Sequence, residues 1–457
     1  MKERILLFLI ISGLGIFIYV FQSFCNTSFG LAFIMLAIFA YTMCSAIAYK
    51  IKTRKLKKHP IAVNENYKPF VSIMVPAHNE DTVIANTIEN ILQIDYENFE
   101  VIAIDDRSDD NSAQVLLELE KKYDKVKAFI RPKDAFPGKS AVLNDALPLA
   151  KGEAILVFDA DATVEPDFLK KLIPHLEPKD VGAVQARKVV RNKDVNILTR
   201  CQNNEMTLDT HFQVGRDSVK GAVELRGNGE LIKREALEDI GGWNNYTITD
   251  DLDMSTRLHI KGWDIRFCRE AVVYEEGVIY LFALFRQRRR WLEGTIRRYL
   301  EYAGDILTSK DMSLRTSLDL IAYLAEFIMP AWFIMEVFIR CFKILVKDAP
   351  TNMLYSSLLI ACALGLGFFI SIRYALRRYD NLSRKDALVQ AFETSLYLLL
   401  LWFPLVLFIG LKILFKEKDM NWGKTAHGLV RHEKAIHKAK EKIRQAKEEL
   451  KKLLLLG

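Results

Sequence analysis

Residues 159 to 161 read Asp-Ala-Asp, straight after the apolar run Ala154-Ile155-Leu156-Val157-Phe158. A strand that ends this way projects both carboxylates from the carboxyl edge of a sheet, where their oxygens can hold a hard divalent cation that also bridges diphosphate oxygens. The same tripeptide in a loop can be a solvated turn or a helix cap. Asp105-Asp106-Arg107-Ser108 is a second acidic pair. Its carboxylates can accept hydrogen bonds from a heterocyclic ring N–H or from ribose hydroxyls, while Asp109 or Asp110 can simply cap the next helix. Pro137-Gly138-Lys139-Ser140 sets a flexible glycine and a lysine beside a helix N-terminus, which favours anions, although the spacing of a Walker loop is missing. Thr249-Asp250-Asp251-Leu252-Asp253 precedes a helical stretch at 254–259. One of these carboxylates can act as a general base on a hydroxyl, or they can serve only as caps that match the helix dipole. Gln287-Arg288-Arg289-Arg290-Trp291 supplies guanidinium groups for a diphosphate and an indole for stacking, or an anchor for lipid headgroups.

These groups need a scaffold that gathers them. Val71 to Pro76 is a short β-branched run, and Glu80 to Leu92 has helical apolar spacing at Val83, Ile84, Ile88, Ile91 and Leu92. The alternation continues with strands at Phe99–Ile104, Val126–Ile130 and Ala154–Phe158, and helices at Ser112–Tyr123 and Ser140–Ala150. Strands alternating with helices imply an α/β, Rossmann-like domain with a mostly parallel sheet covered on both faces. Ligands bind such sheets at the carboxyl ends of the strands, where each polar motif begins. From Gly182 to Val278 the pattern is less regular.

The chain has 457 residues, 50% hydrophobic and 26% charged, so the two kinds must be segregated. Apolar stretches at Ile5–Phe24 and Phe29–Tyr49 are each close to the ~20 residues that a membrane-crossing helix needs. Lys50, Lys52, Arg54, Lys55, Lys57 and Lys58 follow, and the positive-inside rule places them, with the soluble region up to about Tyr280, in the cytosol. Further apolar stretches lie at Leu318–Ile344, Leu354–Ile372 and Leu388–Phe415. Three crossings there leave the basic tail outside, whereas Lys412 to Lys451 reads as cytosolic by charge; Pro404 can kink the last segment or turn it back. Leu281 to Tyr299, with arginines among aromatics, reads as an amphipathic helix on the inner membrane surface. The net charge of +7 concentrates beside the apolar spans and needs no nucleic-acid partner. Six cysteines without Cys-x-x-Cys spacing indicate neither a zinc site nor a disulfide framework.

Taken in order, Val75-Pro76-Ala77-His78-Asn79-Glu80, Asp105-Asp106-Arg107-Ser108, Gly138-Lys139-Ser140 with Leu143-Asn144, Asp159-Ala160-Asp161, Thr249-Asp250-Asp251 and Gln287 to Trp291 resemble the family-two inverting glycosyltransferases. The likeness, over about Val71 to Trp291, is to the membrane-embedded processive synthases of cellulose, hyaluronan, chitin-type oligosaccharide and poly-N-acetylglucosamine. It implies a cytosolic GT-A domain at 59–280, two transmembrane helices in 1–58, amphipathic helices at 281–312, transmembrane helices at 313–416 and a basic tail at 417–457.

The resemblance also implies roles. Asp105 and Asp106 would contact the uridine of a UDP-sugar donor, together with Ala77, Asn79 and Glu80. Lys139, Asp159 and Arg290 would hold the diphosphate, with Mg2+ or Mn2+ on Asp159 and Asp161. Asp251 would be the catalytic base, in a Thr-Asp-Asp where the family usually has Thr-Glu-Asp, so Asp250 is the departure. Asn228, in Gly227-Asn228-Gly229-Glu230, would meet the acceptor with Asp250, Gln287 and Trp291. Trp422-Gly423-Lys424-Thr425 loosely matches a late motif that folds over the donor in some members. The expected activity is transfer of a hexose, with inversion, to the end of a growing β-linked polysaccharide, with export. The alternative is single transfer to a lipid acceptor. A transporter or scaffold without catalysis would release no UDP from any donor.

Overall fold

The computed structural model describes residues 2–21, 28–58, 64, 66–347 and 354–418. Cys25, the Trp422–Thr425 motif and the expected tail helix lie outside them. Two long helices open the chain, α1 (Lys2–Phe21) and α2 (Ser28–Lys58). The alternating region follows as β1 (Val71–Ala77), α3 (Ile84–Ile91), β2 (Phe99–Asp105), α4 (Ser112–Lys122), β3 (Val126–Ile130), α5 (Lys139–Ala146), β4 (Ala154–Val157), β5 (Thr163–Val164) and α6 (Phe168–Leu172). Then come β6 (Val181–Val190), α7 (Ile197–Val219), β7 (Glu230–Lys233), α8 (Arg234–Asp239), α9 (Asp250–Ile260) and β8 (Asp264–Glu275). Four helices complete it: α10 (Leu281–Thr308), α11 (Leu314–Lys347), α12 (Leu354–Tyr379) and α13 (Arg384–Phe415).

The expected strands form almost residue for residue, because each is a short apolar run bounded by turn residues. Two helices are shorter than their periodicity suggests. The carbonyl of Glu80 accepts from the N–H groups of Val83 and Ile84, so residues 80–83 form a turn and α3 starts at Ile84. α5 stops at Ala146 because Pro148 brings a tight 3-10 turn at Leu147–Leu149.

The sheet has eight strands in the order β3-β2-β1-β4-β7-β6-β8-β5. It is mixed rather than mostly parallel. β3, β2, β1 and β4 run parallel, β7 runs against both β4 and β6, and β8 is parallel to β6 but antiparallel to β5. This reversal shapes the site. With Val157 paired to Glu230, the start of β7 lies at the same edge as the ends of β1, β2 and β4, so the turn at 227–229 faces the Asp-Ala-Asp motif.

One apolar cluster, including Ile73, Ile88, Val101, Leu156 and Phe168, fills one face of the sheet; a second, including Met74, Ile102, Val142, Ile155 and Leu258, fills the other. α7 lies between this domain and the later helices. Its Leu208 packs with Ile372 and Leu376 of α12 and Ala391 and Leu398 of α13. Among the described residues, four helical stretches, Lys2–Val20, Leu314–Val346, Leu354–Tyr379 and Arg384–Phe415, are long and apolar enough to cross a membrane. α13 continues through Pro404 as one helix rather than as two that double back.

Candidate active site

A cleft of about 390 Å³ opens along the carboxyl edge of the sheet. Glu80, Lys139, Asp159, Asp161, Asp250, Asp251, Gln287, Arg290 and Trp291 all line it, although they come from five segments of the chain. Ala77, Asn79, Asp105, Asp106 and Asn228 do not line it.

Lys139 stands at the first position of α5. Its ammonium donates to Asp159 Oδ1 at 2.7 Å and to the carbonyl of Gly227 at 2.6 Å, and lies 4.0 Å from Asp250 Oδ2. Burial would push this amine down, but Asp159, Asp250 and Glu230 outweigh it and hold it charged above the ordinary lysine range. Across the cleft, Asp161 Oδ2 accepts from the backbone N–H of Glu276 at 3.0 Å. No group of three or more acidic, His or Cys side chains forms a metal cage among the described residues. The side chain of Asp159 is 41% exposed towards the cleft. Two carboxylates on an open cleft are the donor set expected where a hard cation takes its remaining oxygens from substrate phosphates, so these residues fit the divalent metal named above.

Asp251 sits in the first turn of α9. Its Oδ1 accepts from the N–H of Leu252 at 2.8 Å. Burial, with the neighbouring Asp250 adding to it, pushes its carboxyl up to about 6. Gly227 has a φ of +74°, and a Cβ on it would come within 3.3 Å of Asp251 Oδ2, so the turn needs glycine both for its backbone and for the close approach. Gln185, fully buried in β6, fixes this turn by donating to the carbonyl of Asn228 at 2.9 Å and accepting from the N–H of Arg226 at 2.7 Å. Asn228 in turn accepts from the N–H of Asp159 at 3.2 Å, so it holds the metal motif instead of facing an acceptor. Glu230 is fully buried behind Asp251; burial, with Asp250, Asp251 and Asp159 outweighing Lys139, raises its carboxyl to about 8.

The arginine motif divides its labour. Arg288 is buried, pairs with Glu205 at 2.8 Å and stacks 4.1 Å from the centre of the Trp291 ring, which it props in place. Lys188, paired with Glu275 at 2.8 Å, lies 5.8 Å from the centre of the Trp291 ring. Arg290 faces the cleft with no hydrogen bond or ion pair among the described residues. Burial lowers its guanidinium, against the pull of Asp250, Asp251 and Asp159, and an incoming anion would relieve that cost.

The acidic pair after β2 behaves differently from expectation. Asp106 is fully buried, and its carboxylate is taken by Arg107 at 2.9 Å and by Arg131. It is a structural counterion, not an acceptor presented to a nucleoside. Asp105 is also buried; its Oδ2 accepts from the N–H of Ser108 at 3.1 Å, but its Oδ1 has no hydrogen-bond partner among the described residues. Asn79, at φ +57°, ties the loops after β1 and β2 together by accepting from the N–H of Asp109 at 2.7 Å. The cleft includes residues that no motif announced: Lys188, Glu205, Met206, Asp209, Arg226, Tyr323 and Trp402. Tyr323 and Trp402 belong to α11 and α13, so one wall of the cleft is made by helices apolar enough for a membrane.

Residues 69–294 match the family described as "Glycosyltransferase like family 2". The chain is 39% identical over 364 residues to the beta-monoglucosyldiacylglycerol synthase of Trichormus variabilis, covering 79% of this chain and 76% of that one. It is 34% identical over 374 residues to the protein of that name in Synechocystis, covering 79% and 75%. The fold is similar to that of the mannosyltransferase PcManGT of Pyrobaculum calidifontis, solved with GDP-mannose and Mn2+, at a TM-score of 0.56 and 21% identity over 80% of this chain and 99% of that one. None of these relatives is named as a polysaccharide synthase, and the expectation of a single transfer to lipid gains over that of polymerisation. With its matching region coextensive with the sheet, cleft and arginine motif, the chain is a GT-A glycosyltransferase that belongs to family 2.

Proposed function

We propose that the protein transfers one glucosyl residue, with inversion, from UDP-glucose to the free hydroxyl of a diacylglycerol-type lipid. The observation that carries this reading is the composition of the cleft. It is lined by Lys139 and Arg290 among carboxylates, and also by Tyr323 and Trp402 of the apolar helices. A water-soluble donor and a membrane-borne acceptor need both kinds of lining. The names of the relatives from Trichormus and Synechocystis point to the same sugar and lipid.

In this mechanism Asp251 takes the proton of the acceptor hydroxyl as its oxygen attacks the anomeric carbon, and the bond to the diphosphate oxygen breaks on the opposite face. Arg290 and Lys139 receive the charge that grows on the departing UDP. Asp159 and Asp161 would hold Mg2+ or Mn2+, which when bound supplies further neutralisation of the diphosphate. The domain faces the cytosol, where Lys50 and Arg54 at the end of α2 meet anionic headgroups. The test is incubation of purified protein with UDP-glucose, a divalent cation and diacylglycerol in vesicles, followed by product sizing. A single β-glucosyl lipid is expected; a ladder of polymer, or no glucolipid from any diacylglycerol, would overturn the proposal.

A further inference from the structure

Three membrane crossings after the catalytic domain would put the end of α13 on the far side, away from that domain. The contacts at its two ends place both on the near side. Immediately before α13, Asp380 pairs with Arg187 of β6 and accepts from the Thr207 hydroxyl of α7 at 2.7 Å. Within its first three turns Glu393 pairs with Arg200 of α7 at 3.1 Å. At the opposite end Lys412 pairs with Glu293, and the carbonyl of Lys416 accepts from Arg297 at 3.1 Å. Glu293 and Arg297 lie on the part of α10 that packs on the catalytic domain. There, a Cβ on Gly294 would come within 2.5 Å of Thr249, and Arg298 pairs with Glu224 at 2.8 Å.

The 32 residues of α13 extend about 48 Å at ~1.5 Å each, more than the ~30 Å of hydrocarbon. A crossing helix of that length could not return its far end to the same domain. Of the five helices that carry the apolar stretches, the other four, α1, α2, α11 and α12, form two out-and-back pairs. α1 begins beside the domain, where Glu3 pairs with Arg297 at 3.2 Å, and α2 ends beside it, where Lys52 pairs with Asp217 at 2.6 Å. α11 begins there, with Asp319 accepting from the N–H of Ala222 at 2.7 Å, and α12 ends there, with the carbonyl of Tyr379 accepting from Arg187 at 3.2 Å. α13 is the one left over.

Its side chains suit a helix embedded on one side. Leu401, Leu405, Ile409 and Ile413 are buried against Leu7 of α1 and Leu292 of α10, whereas Leu400, Phe408 and Leu411 are exposed and equally apolar. The outer face therefore meets hydrocarbon, not water. Trp402, near the middle, turns into the cleft between these anchors.

We propose that α13 runs within the membrane without crossing it, both ends on the catalytic side, and that Trp402 with Tyr323 and Met206 forms the membrane-side wall of the acceptor subsite. The occupant is the glycerol and upper acyl region of the lipid acceptor, so this half rests on the lipid-acceptor reading, while the topology does not.

Two measurements test it. Single cysteines at Glu417→Cys and, as a catalytic-domain reference, Glu118→Cys are placed in otherwise cysteine-free full-length protein and exposed to a membrane-impermeant maleimide in sealed vesicles of known orientation. Both are expected to label from the same side; labelling from opposite sides overturns the topology. Trp402→Ala, assayed with diacylglycerol in vesicles, is expected to raise KM for diacylglycerol about tenfold, the loss of roughly one aromatic contact, with KM for UDP-glucose unchanged. An unchanged KM for diacylglycerol, or an equal rise for both substrates, overturns the subsite. If wild-type protein glucosylates no diacylglycerol, the functional reading and the subsite fall together, and the labelling still decides the topology.

Discussion

Asp251 combines the two properties a base for a poor nucleophile requires, access to the cleft and a carboxyl raised to about 6 by burial and by Asp250. Its basicity is drawn from an unfavourable environment, and the sign of the linkage follows. A carboxyl whose folded value exceeds its ordinary one binds more protons in the folded than in the unfolded state, so it weakens the fold as pH rises from about 4 to 6. Asp251→Asn is therefore expected to lower transfer by ~10²- to 10⁴-fold while raising the melting temperature at neutral pH and leaving UDP affinity in place. In the wild type, transfer should fall as pH drops below about 6. Full activity of Asp251→Asn, or a loss of both activity and stability, would show that the carboxylate has another role. Asp106 shows the reverse case. In sequence it is indistinguishable from Asp105, since both belong to one acidic turn. Only the fold shows that Arg131, 25 residues on, takes the Asp106 carboxylate, whereas Asp105 keeps an oxygen without a partner among the described residues.

At the scale of elements, much of the first half of the catalytic domain was readable because its buried faces are apolar and its periods are clean. β1, β2, β3 and β4 come from runs of Val, Ile, Ala and Leu. The region after Gly182 resisted for a physical reason. α7 buries Gln202, Asn203, Asn204, Thr207, Thr210 and Gln213, so its inward face is polar and leaves no hydrophobic period to read. Several of those side chains find partners distant in sequence, Gln202 at Val278 and Asn204 at Thr394, which no local pattern announces. Asn144 is a related case, visible as part of a motif but without a readable purpose. From α5 its amide donates to the carbonyl of Trp243 at 2.7 Å and to Asn245 at 2.7 Å, and accepts from the N–H of Trp243 at 2.9 Å. It thereby clamps the segment that leads into Asp250 and Asp251 and that lines the cleft at Asn245, Thr247 and Ile248. Asn144 touches no cleft space itself, so it is a positioning residue. Asn144→Ala should reduce kcat about tenfold or more, since small misplacement of reacting groups is costly, with little change in UDP affinity. Loss confined to donor affinity would contradict the clamp.

On the scale of the molecule, the catalytic domain and the later helices fold as mutual walls rather than as a tethered pair. α12 and α13 cover α7, α10 joins the cleft to α1 and α13, and the sheet itself reaches the hairpin between α12 and α13 through Arg187. Composition alone shows five apolar stretches but not which soluble residues they meet. For that reason the apolar stretches were legible, whereas the cleft wall at Tyr323 and Trp402 and the side on which the last stretch ends were not. The Arg187–Asp380 pair gives a direct measure of the coupling. Both side chains are nearly buried, at 12% and 13% exposure, and Arg187 adjoins Lys188, which lines the cleft. Removing one partner leaves an uncompensated charge in a site from which water is largely excluded, at a cost of about 3 kcal/mol. Arg187→Ala and Asp380→Ala are each expected to lower the melting temperature of detergent-solubilised protein. The double variant should lose clearly less than the sum, because it leaves neither charge stranded. A strictly additive double variant would mean that the two residues stabilise the molecule independently, and that the hairpin is held by the other contacts of α12 and α13 with α7.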